Sequence, residues 1–209
     1  MSQVRDIVDG IKHRLPDRVN IYPALNRAVR MISKRLFFHK ASMIQGALSV
    51  SISADSSTGS LPSDFWGLIS QPYRSTDTYT LMPVPGKEME LKYNNNSTPV
   101  YYKILGTTLH LYPGSSSAIT INGDYWQKPT KLTKNSDTMP FNELFDDAIE
   151  EGLIHIYVTG DSSGNPNDIS LMQNFINKAV DEVAPYIDKQ APKRVQDSMG
   201  LDYMTNEDW

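Results

Sequence analysis

The sequence predicts an α+β fold in which a bundle of four helices is interrupted by a β-rich insertion. Three observations lead to this prediction. From residue 21 to residue 36 apolar side chains recur every three or four positions, whereas between residues 46 and 127 they alternate at period two. From residue 141 onward the helical spacing returns. Since these two periods are typical of helices and strands respectively, we expect a block of strands inserted into a helical frame.

Two helices are predicted before the insertion. The first spans about Gln3 to Leu15 and ends where Pro16 disfavours continuation. The second continues to about His39 and has Pro23 in its first turn, where the missing N–H of proline costs little.

The insertion, residues 46–127, is predicted to be a small β-sandwich or a strongly curled sheet. Its apolar stretches are separated by turn compositions such as Ser-Ser-Thr-Gly-Ser and Pro-Gly-Ser-Ser-Ser. Gly106 is expected at the turn of a hairpin, because glycine adopts the required backbone angles without steric cost. Seven strands are predicted, at residues 47–53, 65–70, 77–82, 87–93, 98–105, 108–112 and 118–126.

Two more helices are predicted after the chain leaves the insertion. The first spans residues 141–159, has Leu144 on its apolar face, and begins with acidic residues that suit the positive end of the helix dipole. The second spans residues 168–188. Residues 189–209 are too polar and irregular to form a core element and are predicted to be an extended arm that becomes ordered on a partner. The predicted domains are therefore a helical bundle (1–45 and 128–188), a β-rich insertion (46–127) and a C-terminal arm (189–209).

Composition and motifs argue against several classes of function. The 209 residues include no cysteine, which excludes disulfides and thiolate metal ligands. The four histidines lack the paired spacing of metal ligands. No phosphate-binding glycine loop and no nucleophile elbow occur in the sequence. No apolar run is long enough for a membrane span, and the N-terminus does not resemble a signal peptide, so folding in a cytoplasm is expected. The sequence therefore shows no catalytic motif and no metal-ligand motif.

Charge is unevenly distributed along the chain. Residues 1–40 contain nine Lys/Arg and three Asp/Glu, whereas residues 141–187 contain one Lys and nine Asp/Glu. Such blocks can neutralise each other within one subunit or across a subunit boundary. The second helix carries a basic stripe formed by Arg27, Arg30, Lys34 and Arg35. We predict that the first three of these residues contact Glu143, Asp147 and Glu150 of a neighbouring subunit.

Two rival functions remain open at this point. The carboxylates of Asp146, Asp147, Glu150 and Glu151 have a spacing that a cell-wall glycan hydrolase could use, although nothing in the sequence implies the necessary burial. The tyrosines of the insertion would suit a glycan- or host-surface-binding module, but tyrosines at period two usually belong to the interior of a sheet. They are Tyr93, Tyr101, Tyr102, Tyr112 and Tyr125.

Five segments, taken in order and spacing, resemble the head-to-tail adaptor (connector) proteins of tailed phages. The resemblance covers about residues 19–187. The segments are Asn26-Arg-Ala-Val-Arg-Met-Ile-Ser-Lys-Arg35, Leu61-Pro-Ser-Asp-Phe65, Tyr102-Lys-Ile-Leu-Gly-Thr-Thr-Leu-His-Leu-Tyr-Pro113, Ile121-Asn-Gly-Asp-Tyr-Trp-Gln-Lys-Pro129 and Met139-Pro-Phe-Asn-Glu-Leu-Phe-Asp-Asp-Ala-Ile149.

This resemblance implies a structural protein of the virion, made in the host cytoplasm, that forms a ring of usually twelve subunits beneath the portal. In the family the helical bundle builds the ring, the C-terminal arm binds the portal, and the other face receives tail or nozzle proteins. DNA would pass through the ring without being read in sequence, and no reaction or cofactor is involved. The residues of the arm expected to anchor it to the portal are Val195, Met199, Leu201, Tyr203, Met204 and Trp209.

Overall fold

A computed structural model describes residues 3–15, 20–87, 92, 95–141, 143–159 and 166–183. Within these residues the fold is mixed α and β, with four α-helices and two β-sheets, so the predicted class is confirmed. The predicted arm, residues 189–209, lies outside the described residues. The helices are α1 (Val4–Ile11), α2 (Tyr22–Phe38), α3 (Asp146–Ile154) and α4 (Pro166–Val183).

The first two helices use the apolar faces that the sequence predicts. At the start of α1 the backbone N–H of Gln3 donates to the Asp6 carboxylate at 2.7 Å, which satisfies one of the amides that every helix N-terminus leaves free. The helix ends at Ile11, earlier than expected, because the amide of Arg14 bonds the Ile11 carbonyl three residues back and tightens the last turn. In α2 the predicted face is buried, with Leu25, Val29, Ile32 and Leu36 at most 1% exposed.

The third predicted helix differs from its expected form. Residues 141–159 do not form one helix: a 3₁₀ turn (Glu143–Phe145) precedes α3, and a π-helical turn (His155–Thr159) follows it. A 3₁₀ turn has three residues per turn, so the register of the apolar face changes at its junction with α3. Phe145 therefore takes the buried position, while Leu144 is 53% exposed. The expectation that Leu144 lies on the buried face was wrong.

The four helices pack against one another in a connected set. Helix α1 contacts α3, α2 contacts both α3 and α4, and α3 contacts α4. The contact between α3 and α4 is close at Gly152, where a Cβ atom would lie 2.7 Å from Cγ of Met172. The fully buried side chains that these helices share include Ile7, Leu25, Ile32, Leu36, Ile149, Leu153, Met172, Ile176 and Val180.

Nine strands make up the two sheets of the described residues. One sheet has the order β1-β9-β3 with β4 also paired to β9, and the other has the order β2-β8-β7-β5 with β6 also paired to β8. The strands are β1 (Gln45–Ile52), β2 (Ser56–Ser60), β3 (Phe65–Leu68), β4 (Tyr73–Arg74), β5 (Met82–Pro83), β6 (Asn96–Ser97), β7 (Tyr101–Leu105), β8 (Thr108–Ser115) and β9 (Ile119–Gln127).

The strand predictions were partly correct. The hairpin of β7 and β8 is antiparallel, and Gly106 in its turn has a φ of 60°, as expected. Of the expected strand 77–82 only Met82 lies in a strand, β5, and Thr80 forms an isolated bridge with Tyr73. The Asp77 carboxylate accepts hydrogen bonds from the Arg74 side chain and from the Tyr79 amide, and Thr78 has a φ of 56°, so this stretch begins as a tight turn. Most of the expected strand 87–93 lies outside the described residues, and Lys87 and Lys92 within it are helical.

Two segments whose composition predicted turns form strands in the structure. The residues Ser56–Ser60 form β2, which pairs antiparallel with β8, and the stretch from Pro113 to Ser115 completes β8. The composition of β2 misleads because its side chains are small and polar. What makes it a strand is tertiary pairing, which propensity does not record.

The described residues form two compact units by their contacts. The described part of the helical unit lies within Met1–Gly46, Pro62–Gly67 and Trp126–Ile187, and the described part of the β unit lies within Ala47–Leu61 and Leu68–Tyr125. In the helical unit, Phe37 of α2 stacks on Trp66 with ring centroids 5.2 Å apart and meets Trp126 edge-on at 5.3 Å. Aromatic contacts of this kind explain why short stretches of the insertion pack with the helices.

Gly59 of β2 is a position where the β unit leaves no room for a side chain. A Cβ atom there would lie 2.5 Å from Cγ1 of Val50 and 2.8 Å from Cγ1 of Ile52. We expect Gly59→Ala to lower the free energy of unfolding by roughly 1–3 kcal/mol, because the two buried side chains must move. Urea denaturation measures this change. The control is Gly86→Ala, where a Cβ atom has no neighbour within 4 Å and the change is expected to be neutral or slightly stabilising. Equal stability of the two variants would contradict the prediction.

Candidate functional site

A groove of about 970 Å³ in the helical unit runs along the first half of α2. Its other walls are the segment 129–133, the π-helical turn after α3, and the start of α4. The lining is mixed, with apolar side chains at Pro23, Val29, Pro129, Ile156 and Ile169, and polar or charged ones at Asn20, Tyr22, Asn26, Arg27, Arg30, Thr130, Lys131, Thr133 and Tyr157.

Asn26 holds two walls of the groove together. Its Oδ1 accepts a hydrogen bond from the Leu132 amide at 2.8 Å, and its Nδ2 donates to the Leu132 carbonyl at 2.8 Å. The same Nδ2 donates to the carbonyl of Tyr22 at 2.8 Å. Leu132 is buried, so its backbone groups need these partners. The segment 129–133 is therefore fixed beside α2.

Tyr157 fixes the opposite wall. Its hydroxyl donates to the backbone carbonyl of Asn20 at 3.0 Å, which ties the π-helical turn to the start of α2. Burial raises the pKa of Tyr157, so the side chain stays a neutral donor under ordinary conditions. With Asn26 on one side and Tyr157 on the other, the groove is defined by hydrogen bonds as well as by packing.

Three cations line the groove and are exposed: Arg27, Arg30 and Lys131. Arg30 donates from Nε to the Asn26 carbonyl at 3.2 Å, which orients its guanidinium. Among the described residues none of these three cations forms an ion pair. Lys34, a turn further along α2, is also exposed. The groove is therefore a positively charged surface with an apolar floor.

Arg35, the remaining member of the basic stripe, has an intramolecular partner. Its guanidinium donates two hydrogen bonds to the Asp181 carboxylate of α4, at 3.0 and 2.9 Å, and His39 lies 3.1 Å from the same carboxylate. The hydrogen bond from Arg35, with a smaller effect of His39, lowers the pKa of Asp181. This pair links α2 to α4 and leaves the other predicted cations available to a partner.

The three predicted acidic contact residues have different surroundings. Glu143 and Asp147 are exposed at the 3₁₀ turn and the start of α3. Glu150 is only half exposed, and its Oε1 lies 2.5 Å from where a Cβ atom of Gly10 would be. Burial and the nearby carboxylates of Asp147 and Asp146 raise the pKa of Glu150. In the described part of the chain, no ion pair joins these acids to the cations of α2.

A carboxylic acid with a raised pKa beside an ionised one is also what glycoside hydrolysis needs. Glu150, however, packs where α3 meets α1 and does not line the groove. Among the described lining residues there is no Asp or Glu. The geometry therefore does not favour the hydrolase hypothesis.

The tyrosines proposed for glycan binding are packed in the sheets where the structure describes them. Tyr125 is 5% exposed, Tyr101 and Tyr112 are cross-strand neighbours in the β7–β8 hairpin, and burial raises the pKa of Tyr102. Tyr93 lies outside the described residues. Of the four described tyrosines Tyr125 is buried, and Tyr101, Tyr102 and Tyr112 are partly exposed, so none of the four is a fully exposed aromatic side chain.

The chain matches the SU10 adaptor protein family over residues 1–197. The chain belongs to this family. The resemblance to phage head-to-tail adaptors seen in the sequence is thereby confirmed. The family match also includes the first 18 residues, which that resemblance did not cover. A comparison with curated proteins found no match.

Membership of the SU10 adaptor family assigns a structural role as an adaptor component of a bacteriophage particle. Among the described helices none is both long and apolar enough to cross a membrane. In the same residues no group of three His, Cys, Asp or Glu side chains is placed to hold a metal ion. The six predicted portal-binding residues lie outside the described residues, and five of them, from Met199 to Trp209, also lie beyond the family match.

Sequence reasoning missed Lys131, Tyr157 and Asn26 as parts of the groove. Lys131 lies in a connecting segment, which carries no periodic signal. Asn26 did carry one: asparagine is a poor residue for a helix interior unless its side chain has a specific hydrogen-bonding partner. Its place among the apolar residues of α2 pointed to a polar contact with another segment.

Proposed function

We propose that this chain assembles into a ring that docks beneath the portal of the phage head, joins it to tail or nozzle proteins, and continues the DNA channel. Twelve subunits would match the ring size implied by the resemblance to head-to-tail adaptors. The observation that carries the proposal is membership of the SU10 adaptor family, which covers residues 1–197 of the chain. No substrate or cofactor is involved.

The charges of the helical unit support a head-to-tail contact between subunits. Arg27, Arg30 and Lys34 are exposed on α2, and Glu143 and Asp147 are exposed at the start of α3. Two different surfaces that attract each other form a heterologous interface, and such an interface closes into a ring when the rotation between subunits fits. Opposite charge on the two surfaces would steer the subunits and set their register. In this proposal Glu150 contributes to the negative field from its half-exposed position.

The arm, residues 189–209, is proposed to bind the portal. Its apolar and aromatic residues are spaced among polar ones, which suits a segment that becomes ordered on a preformed surface. The proposed anchors are Val195, Met199, Leu201, Tyr203, Met204 and Trp209. The helical unit would then form the body of the ring while the arm fastens that body to the head.

The test is the mass of the purified chain, measured by light scattering alone and after mixing with the portal protein of the same phage. From the family resemblance we expect a complex that contains the portal and about twelve copies of the chain. Electron microscopy of this complex should show a ring. Bovine serum albumin in place of the portal is the control for nonspecific association. A mixture that shows no complex with the portal at either low or moderate salt would overturn the proposal.

A further inference from the structure

We propose that the groove of the helical unit is a socket for a second copy of the same chain, and that the neighbour inserts the Leu144 side chain into it. The inference rests on the proposed ring, because it assigns the geometry of the contact between adjacent subunits. It goes beyond the charge pairing by naming an apolar side chain as the centre of the contact. It also adds Lys131 to the basic surface.

The inserted surface is the 3₁₀ turn at Glu143–Phe145. Leu144 is 53% exposed, although the next residue, Phe145, is fully buried. The reason is local, because the 3₁₀ turn gives the buried position to Phe145 and points its neighbour outward. Glu143 and Asp147 are exposed beside it. The turn therefore presents one apolar side chain flanked by two carboxylates.

The groove has the complementary arrangement. Pro23, Val29, Ile156 and Ile169 provide an apolar lining, and the exposed cations Arg27, Arg30 and Lys131 lie at the same groove. A contact between the two surfaces would place leucine against apolar side chains and the carboxylates against the cations. Such a contact has the usual anatomy of an interface, with an apolar centre and a polar rim. Because the cations lack ion-pair partners in the described residues, pairing them with a neighbour breaks no existing salt bridge there.

A second copy suits the groove better than a DNA strand. The phosphate backbone would use the cations but would leave the apolar lining without a partner. Leu144 with its flanking acids uses both features, and it is present on every subunit. Because socket and inserted turn are different surfaces, each subunit can give one and receive one, as a closed ring requires.

The absence of cysteine from the chain allows a direct test by crosslinking. Two single-cysteine variants, Leu144→Cys and Thr130→Cys, are mixed with the portal protein and oxidised. Thr130 is exposed and lines the groove. We expect at least ten times more disulfide-linked dimer from the mixture than from either variant alone, because a disulfide requires Cα atoms within about 7 Å. The matched control replaces Leu144→Cys with Leu171→Cys, which changes another exposed leucine of the helical unit.

The outcomes separate this inference from the proposed function. A ring that forms on the portal without the crosslink, or with equal crosslinking from Leu171→Cys, would overturn the socket and leave the ring standing. Failure of the unmodified chain to assemble on the portal would overturn both.

In a second measurement Leu144→Asp should weaken assembly at least tenfold, and Leu171→Asp should not. If a DNA duplex binds the unmodified chain, and Arg27→Ala abolishes that binding while leaving assembly unchanged, the groove belongs to DNA and the socket is refuted.

Discussion

The double variant Arg27→Glu, Arg30→Glu is expected to lose assembly on the portal while remaining folded. Both side chains are exposed on α2, and neither has an ion-pair partner within the described residues, so their replacement removes no ion pair that the structure shows. In the proposed ring they face the carboxylates Glu143 and Asp147 of the neighbour. Reversing their charge places like charges opposite each other, which costs several kcal/mol at an interface. A loss of at least about 100-fold in association follows from that cost.

Sedimentation velocity over a range of chain concentrations, with and without portal protein, measures this loss. The unmodified chain should also assemble more weakly as salt increases, since exposed charges are screened beyond about 8 Å at physiological ionic strength. The control is Arg5→Glu, Lys12→Glu, which reverses an exposed cation of α1 and the exposed cation that follows this helix; both pair with Asp9, and neither lines the groove. This control changes the net charge by the same amount, so it separates a local effect from a general one.

A charge-swapped partner makes the prediction more specific. Mixing the α2 double variant with a Glu143→Arg, Asp147→Arg variant should restore part of the association, because opposite charges face each other again at every interface of a ring in which the two variants alternate. Neither variant should assemble well alone. Full assembly of the α2 double variant at low salt would contradict the assignment of these cations to the subunit contact.

The helical faces were predictable because burial follows the helical period. Leu25, Val29, Ile32 and Leu36 all lie on the expected face of α2, and all are buried. Prediction failed at Leu144 because a short 3₁₀ turn changes the angle between successive side chains, and no residue in that stretch marks the change. The same failure concealed the exposed leucine on which the proposed socket depends.

The β-rich block was predictable as a block but less so strand by strand. Long alternating strands such as β8 and β9 carry a clear signal, whereas β2 consists of small polar residues and is formed by pairing with β8. Arg74 shows a related limit. It is 6% exposed and donates to Asp77 and to the Pro99 carbonyl, and Tyr79 stacks over its guanidinium at 4.3 Å. A buried arginine of this kind depends on partners brought together by the fold, so its sequence position does not reveal it.

The sequence predicted charged residues that are exposed, and two of them line the groove, but it did not predict the shape of the groove. Uneven charge along the chain led to Arg27 and Arg30 on one side and Glu143 and Asp147 on the other, and all four are exposed. The groove itself depends on hydrogen bonds between segments about 106 residues apart, such as that from Leu132 to Asn26. Contacts at that separation leave no periodic trace in the sequence.

Deleting residues 189–209 is expected to abolish attachment to portal-bearing heads and to leave a folded protein. The buried core residues of both units lie at or before Val180 in the described chain, so the deletion removes none of them. The deleted segment contains all six proposed portal anchors, and losing every anchor of a binding segment should cost at least about 100-fold in affinity. Cosedimentation of the truncated chain with portal-bearing heads measures attachment, and thermal unfolding followed by circular dichroism checks the fold.

A full-length control separates the anchors from the mere length of the arm. In it the six residues Val195, Met199, Leu201, Tyr203, Met204 and Trp209 are replaced by serine, which keeps the length and the charges of the arm. Because apolar and aromatic side chains should supply most of the binding energy, this variant is expected to fail as completely as the deletion. If the truncated chain occupies the heads as fully as the intact one, the arm does not bind the portal. If the deletion abolishes attachment to the heads but the serine variant does not, the arm binds through its backbone or its charges. The serine variant keeps both of these features of the unmodified arm.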